Sequence, residues 1–150
     1  MSLTGSPLGP LGEAMLARAA GDATLLALAP GGIQTAVPRR TATTFPYVTL
    51  GQRQEYLDGP GASVRTEGGQ LTTWIDVWSV QNGPAEVRAI LSRLRVLFQH
   101  EPLSVAGFVV MGRSLHCAEE LILPDVDPDI PERSLYRGIQ QWVALVEEAA

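Results

Sequence analysis

The 150-residue chain has no lysine and a single cysteine. The first absence leaves 11 arginines as the only strong cations against 16 acidic residues, for a formal net charge of −5. The arginines are scattered, with Arg39-Arg40 the one adjacent pair, so no basic stripe tracks phosphates and sequence-specific nucleic-acid binding is not expected. With Cys117 alone, an intrachain disulfide cannot form, which permits a reducing cytoplasm. Long apolar runs are missing as well: the longest are four to five residues, against the ~20 that a bilayer-spanning helix needs. The opening MSLTGSPLGPLGEAM has no basic n-region and no apolar h-region, unlike a signal peptide. The expectation is a soluble, non-secreted chain with no membrane partner.

What is present describes a globular protein. Hydrophobic residues make up 45% and charged ones 18%, far from a disordered composition. The length fits one domain with a sizeable core. Residues 1–10, rich in Gly, Pro and Ser, predict a flexible N-terminal arm, and residues 11–150 a single domain. Leu11, Met15 and Ala19, then Leu25, Leu26 and Leu28, recur at near-helical spacing. Between them Asp22 is placed to cap a second short helix, which Pro30-Gly31-Gly32 ends.

A short strand is expected from Ile33 to Val37, a loop over 38–46, and a strand from Tyr47 toward Tyr56. The stretch DGPGASVRTEGG, 58–69, is longer than a hairpin needs, a length that points to a functional loop and puts Asp58, Arg65 and Glu67 among candidate partner contacts. The strand LTTWIDVWSV follows. By the period of two, Leu71, Thr73, Ile75 and Val77 share one face and Thr72, Trp74, Asp76 and Trp78 the other. Val87, Ile90, Leu91, Leu94, Leu97 and Phe98 then mark an amphipathic helix opened by Pro84. Residues 103–106 and 108–117 read as a hairpin broken at Gly107, residues 125–132 as an acidic loop, and Leu135 to Val146 as a last strand. The order predicts an α+β fold: a mostly antiparallel sheet with helices packed on one face.

Candidate chemistry is sparse. His116 and Cys117 are neighbours on a strand and point to opposite faces, which is wrong for a nucleophile and its base. Asp125, Asp127 and Asp129 resemble the start of a calcium loop, but Ile130 stands where the turn glycine belongs and Tyr136 where the bidentate Glu belongs. The glycine-rich 58–69 stretch lacks the Lys-Ser/Thr ending of a phosphate loop. GRSLH, 112–116, ends in His116 where a nucleophile elbow has glycine. No catalytic residue, metal site or cofactor is therefore expected, and a thiol enzyme using Cys117 or a small ligand-binding module is the alternative of another class.

The face bearing Trp74, Asp76 and Trp78 needs an explanation. Either the chain's own helices cover it, with Asp76 accepting a hydrogen bond at its edge, or a second copy does, with aromatics in the interface core and Asp76 paired to an arginine across the boundary. The last strand is two-sided as well, with Tyr136, Gln140, Trp142 and Val146 on one side and Leu135, Ile139, Val143 and Leu145 on the other. Tyr136 and Trp142 join the candidate contacts on that ground. A chain with three helical segments can cover one sheet face more readily than both.

Four runs taken in order, DATLLALAPGGIQTAVP, FPYVTLG, IDVWSVQNGPAEVRAILSRLRVLF and YRGIQQWVALVEE, resemble the tail-completion or tail-terminator family of long-tailed bacteriophages and gene transfer agents. The resemblance runs from about residue 11 to residue 148. It implies an α+β structural virion protein assembled in the host bacterial cytoplasm. It implies a ring of copies, a hexamer in the family, at the head-proximal end of the tail tube, where the ring ends tube growth and joins the tail to the head. The partners it implies are further copies of the chain, the major tail tube protein and a head connector or stopper protein. DNA would pass through the ring without specific binding. Another neck component, such as a head-closure adaptor, fits the same resemblance.

Overall fold

The computed structural model describes residues 8–35, 44–58, 68–81, 83–110, 115–126 and 134–148. Helices α1 (Leu8–Ala20) and α2 (Ala23–Leu28) come first, then strands β1 (Ile33–Gln34), β2 (Tyr47–Asp58) and β3 (Gly68–Ser79). Helix α3 (Ala85–Phe98) and strands β4 (Phe108–Val110), β5 (His116–Val126) and β6 (Ser134–Glu148) complete the order. The strands form one sheet, β1-β2-β3-β6-β4, with β5 also on β6. Among the described residues only β1 and β2 run parallel; every other pair is antiparallel. This is the α+β architecture expected from the sequence.

Pairing register separates two faces. On the inner face Leu71, Ile75 and Val77 of β3 stand beside Ala144, Gln140 and Gly138 of β6. Helix α3 packs there, burying Val87, Ile90, Leu91, Leu94 and Phe98, the stripe that 3.6-residue periodicity predicts. Its first turn is closed from the preceding turn: the Glu86 N–H donates to Gln81 Oε1 at 2.9 Å and Ser79 Oγ donates to Glu86 Oε1 at 2.8 Å. Glu86 in the first turn and Arg95 in the last both complement the helix dipole.

Gly138 lets α3 approach β6. A Cβ there would lie 2.5 Å from Val87 Cγ1 and 2.9 Å from Leu91 Cδ1. Gly138→Ala is therefore expected to cost about 1–3 kcal/mol by overpacking, seen as a lower urea midpoint with an unchanged m-value.

Leu11, Met15 and Ala19 of α1 and Leu25 of α2 are buried in the same core. Asp22 caps α2, its Oδ2 accepting from the Leu25 N–H at 2.8 Å, and it also receives Arg93 of α3 at 2.8 Å and 2.7 Å. The Arg93 hydrogen bonds, opposed by burial and helped by the Leu25 N–H, hold the Asp22 carboxyl below its ordinary 3.8. A depressed carboxyl contributes stability that is present above its unfolded value and lost as pH falls through the folded one. Asp22→Asn should keep the cap but flatten the stability-versus-pH curve below about pH 4, the region just under the ordinary carboxylate value, measured by denaturant unfolding at stepped pH.

Several boundaries differ from the sequence reading. Helix α1 begins at Leu8, so residues 8–10 of the expected arm are helical. Leu57 and Asp58 extend β2 beyond Tyr56. Among the described residues the expected 103–117 hairpin reduces to one bridge, Val105 to Phe108, across a tight turn at Gly107 (φ 81°), and β4 and β5 each pair with β6. Strand β5 was missed, and it takes Asp125 and Val126 out of the expected acidic loop. A register shift between Cys117 and Glu119 breaks its alternation, and Pro124 disguises it. Proline is tolerated there because β5 is an edge strand.

Candidate assembly interface

The outer sheet face carries no helix among the described residues. Across β2, β3, β6 and β5 its register rows are Tyr47-Trp78-Arg137-Leu123 and Thr49-Asp76-Ile139-Leu121. The next places Trp74, Gln141 and Glu119 side by side. Opposite Trp74, β2 bulges between Leu50 and Gln54, with Gly51 at φ 76°, a conformation that favours glycine. The bulge sets the Arg53 guanidinium 4.1 Å above the Trp74 ring.

Asp76 lies between the two tryptophans and is 5% exposed. Its Oδ1 receives both Nε and Nη2 of Arg137, at 3.0 Å and 2.8 Å. The same guanidinium sits 4.7 Å over the Trp78 ring, a cation–π contact. Trp78 stacks on Tyr47, with centroids 6.2 Å apart, and its Nε1–H points to Thr49 Oγ1 at 3.4 Å. So no helix among the described residues lies over Asp76, and its arginine comes from the same chain, on the neighbouring strand β6 and one register row away beside Trp78. Trp74 and Trp78 remain half-buried, capped by arginines rather than enclosed.

The face is more apolar than the tryptophans alone suggested. Leu57 (54% exposed), Val109 (53%), Leu145 and Leu121 are open to solvent, and Ile139, Val143 and Leu123 are half-exposed. Arg53, Arg137 and the Leu121–Leu123 pair escaped the sequence reading. The signal for the leucines was the alternation Glu119-Leu121-Leu123, which becomes legible once β5 is recognised.

Other candidates fall elsewhere. Trp142 is 0% exposed on the inner face, edge-on to Phe98 at 5.8 Å; it is a core residue, not a surface contact. Tyr136 is half-buried and packs against the core. Asp58 ends β2 opposite Gly69, its side chain outside the described residues, as are Arg65, Glu67 and most of the 125–132 loop. His116 is exposed on the outer face, while Cys117 faces inward. Burial pushes the Cys117 thiol above its usual value, the nearby Arg95 lowering it less. The thiol donates to the Glu119 carbonyl at 3.3 Å, and the Cys117 N–H donates to Gln99 Oε1 at 2.9 Å. A raised thiol is the opposite of an activated nucleophile. Among the described residues no cluster of His, Cys, Asp and Glu could hold a metal ion, and no helix is long and apolar enough to cross a membrane.

One helix-covered sheet face and one face that is open among the described residues, aromatic and arginine-capped, define a two-layer α+β module. The chain belongs to the family described as tail completion protein gp17, whose profile matches residues 13–147, and it is thus a structural component of the virion tail. No curated protein matches the sequence. Among solved structures, a chain of the virion of a native gene transfer agent particle superposes with a TM-score of 0.76 at 20% identity, covering 95% of this chain and 98% of that one. That likeness is one of fold.

Proposed function

We propose that copies of the chain close into a ring, six in number, at the head-proximal end of the tail tube. There the ring ends tube growth and joins the tail to the head connector or stopper. The observation that carries this reading, within a tail-completion fold, is the open outer face. Apolar side chains there are exposed in a lone subunit, in an array larger than scattered surface hydrophobics. A ring needs a heterologous contact, in which one face of each copy meets a different face of its neighbour. At six copies of net charge −5, the ring would carry about −30, and an acidic channel would let DNA pass without adhering.

Light scattering with negative-stain microscopy of the purified chain, alone and with purified tail tubes, tests the reading. Closed rings, or rings seated on one end of the tube, are the expected result. A chain that stays monomeric and ignores tube ends overturns it, and binding to connectors but not tubes assigns it to the head side of the joint.

A further inference from the structure

We infer that the outer sheet face receives the solvent-facing side of helix α3 from a second copy, with Arg88 of one copy opposite Glu119 of the next. This deepens the ring reading and rests on it. Three observations lead to this occupant: the extent of the sheet face, its unpaired acids, and the cation and valine left bare on α3.

The face is large enough. Four strands about 4.8 Å apart and about ten residues long present on the order of 600 Å², close to the ~800 Å² per partner of a standard interface. The free edge of β5 is a poorer docking site. It carries Pro124, a register shift and two adjacent carboxylates, Glu119 and Glu120, features that discourage edge pairing. Contact through the face is favoured over extension of the sheet.

Charge selects what sits there. Glu55 and Glu119 are exposed on the outer face, and neither meets a cation among the described residues. On the opposite side of the molecule, α3 turns Arg88, Ala89, Ser92, Arg95 and Val96 to solvent. Val96 is 60% exposed, an unusual place for valine on a helix whose other face is fully buried. Arg93 is taken by Asp22 and Arg95 shares Glu120, which leaves Arg88 as the α3 arginine with no carboxylate among the described residues.

The spacing agrees. Glu55 and Glu119 lie three strands and one register row apart, about 16 Å, and Arg88 and Arg95, whose side chain stays 43% exposed in its pair with Glu120, are seven residues apart, about 10.5 Å along a helix. Arginine side chains span the difference. Between the acids lie Trp74 and Val143, and between the arginines the small Ala89 and Ser92, so the helix backbone can come close to the rings. The two surfaces face opposite ways on one subunit, so the contact is heterologous, as ring closure requires.

Charge reversal in the full-length chain tests the pairing. Arg88→Glu and Glu119→Arg should each weaken assembly about tenfold or more, the scale of coupling for close interfacial charge pairs, with unchanged circular dichroism and Tm. The double reversal should restore rings. In a Cys117→Ser background, Ala89→Cys with Leu121→Cys should give a disulfide-linked ladder on oxidation. Unaltered ring formation in both single reversals, with no ladder, would remove α3 as the occupant and leave the ring reading standing. A wild-type chain that never self-associates, even at tube ends, defeats both. Capture by tube protein through Glu119 without self-assembly assigns the face to the tube protein and overturns the inference.

Discussion

Trp142→Ala should lower the stability of the fold by about 3–5 kcal/mol, the cost of emptying a large aromatic site in a packed core. In a domain of this size that corresponds to a Tm drop on the order of 10 °C. Two losses add. The indole is fully buried edge-on to Phe98, and its Nε1–H donates to Gln140 Oε1 at 3.1 Å. Gln140 is itself fully buried, with Nε2 donating to the Leu91 carbonyl at 2.9 Å and to Glu120 Oε1 at 2.7 Å. Glu120 in turn receives Arg95 Nε at 3.0 Å. This chain of donors and acceptors ties β6 and β5 to α3, and every polar atom of Gln140 has a partner. Removing the indole leaves the amide oxygen without its donor beside a new cavity, an orphaned acceptor that adds to the cost. Trp142→Phe, which keeps much of the volume but not the N–H, separates the two losses by thermal unfolding. A Trp142→Ala chain as stable as wild type would place Trp142 outside the core.

The sequence made Trp142 look like Trp74 and Trp78, and the reason is physical. All three lie in strands with apolar residues on both sides, and alternation assigns residues to two faces without saying which face the helices take. The inner face was legible from Leu71, Ile75 and Val77, because α3 offers one unbroken apolar stripe and needs a matching floor. Trp142 joins that floor only through the β3–β6 register, which sets it opposite Thr73, and pairing between strands 60-odd residues apart is not written in local pattern. Strand β5 was hidden for a local reason, the bulge and Pro124. The Asp76–Arg137 pair was anticipated in kind, a carboxylate seeking an arginine on that face, but placed across a subunit boundary instead of between neighbouring strands of one chain. The family, in contrast, was readable from four ordered runs, since these coincide with α2–β1, β2, β3–α3 and β6, the elements that build sheet and core.

Arg137→Ala should weaken both the fold and its assembly. The arginine does two jobs at once: it neutralises a carboxylate that is 5% exposed, and it covers the Trp78 ring. Deleting it strands Asp76 between two indoles with no cation to accept from. Breaking a fully buried pair costs about 3–5 kcal/mol, but the Arg137 side chain keeps a third of its exposure, so water screens part of the loss and about 1–3 kcal/mol is expected. Asp76→Asn combined with Arg137→Leu removes both charges and keeps apolar cover over Trp78, and it should recover most of the stability, because the penalty comes from the orphaned charge rather than from losing the pair. The assembly readout behaves differently. A neutral leucine leaves the outer face flat and apolar, so the double variant should still build rings, while Arg137→Ala exposes an anion in the middle of the face and should hinder docking even at temperatures where the subunit is folded. Denaturant unfolding and light scattering on the same three chains check this: if stability and ring formation fall and recover together in strict proportion, Arg137 serves the fold alone and the outer face is not the docking surface.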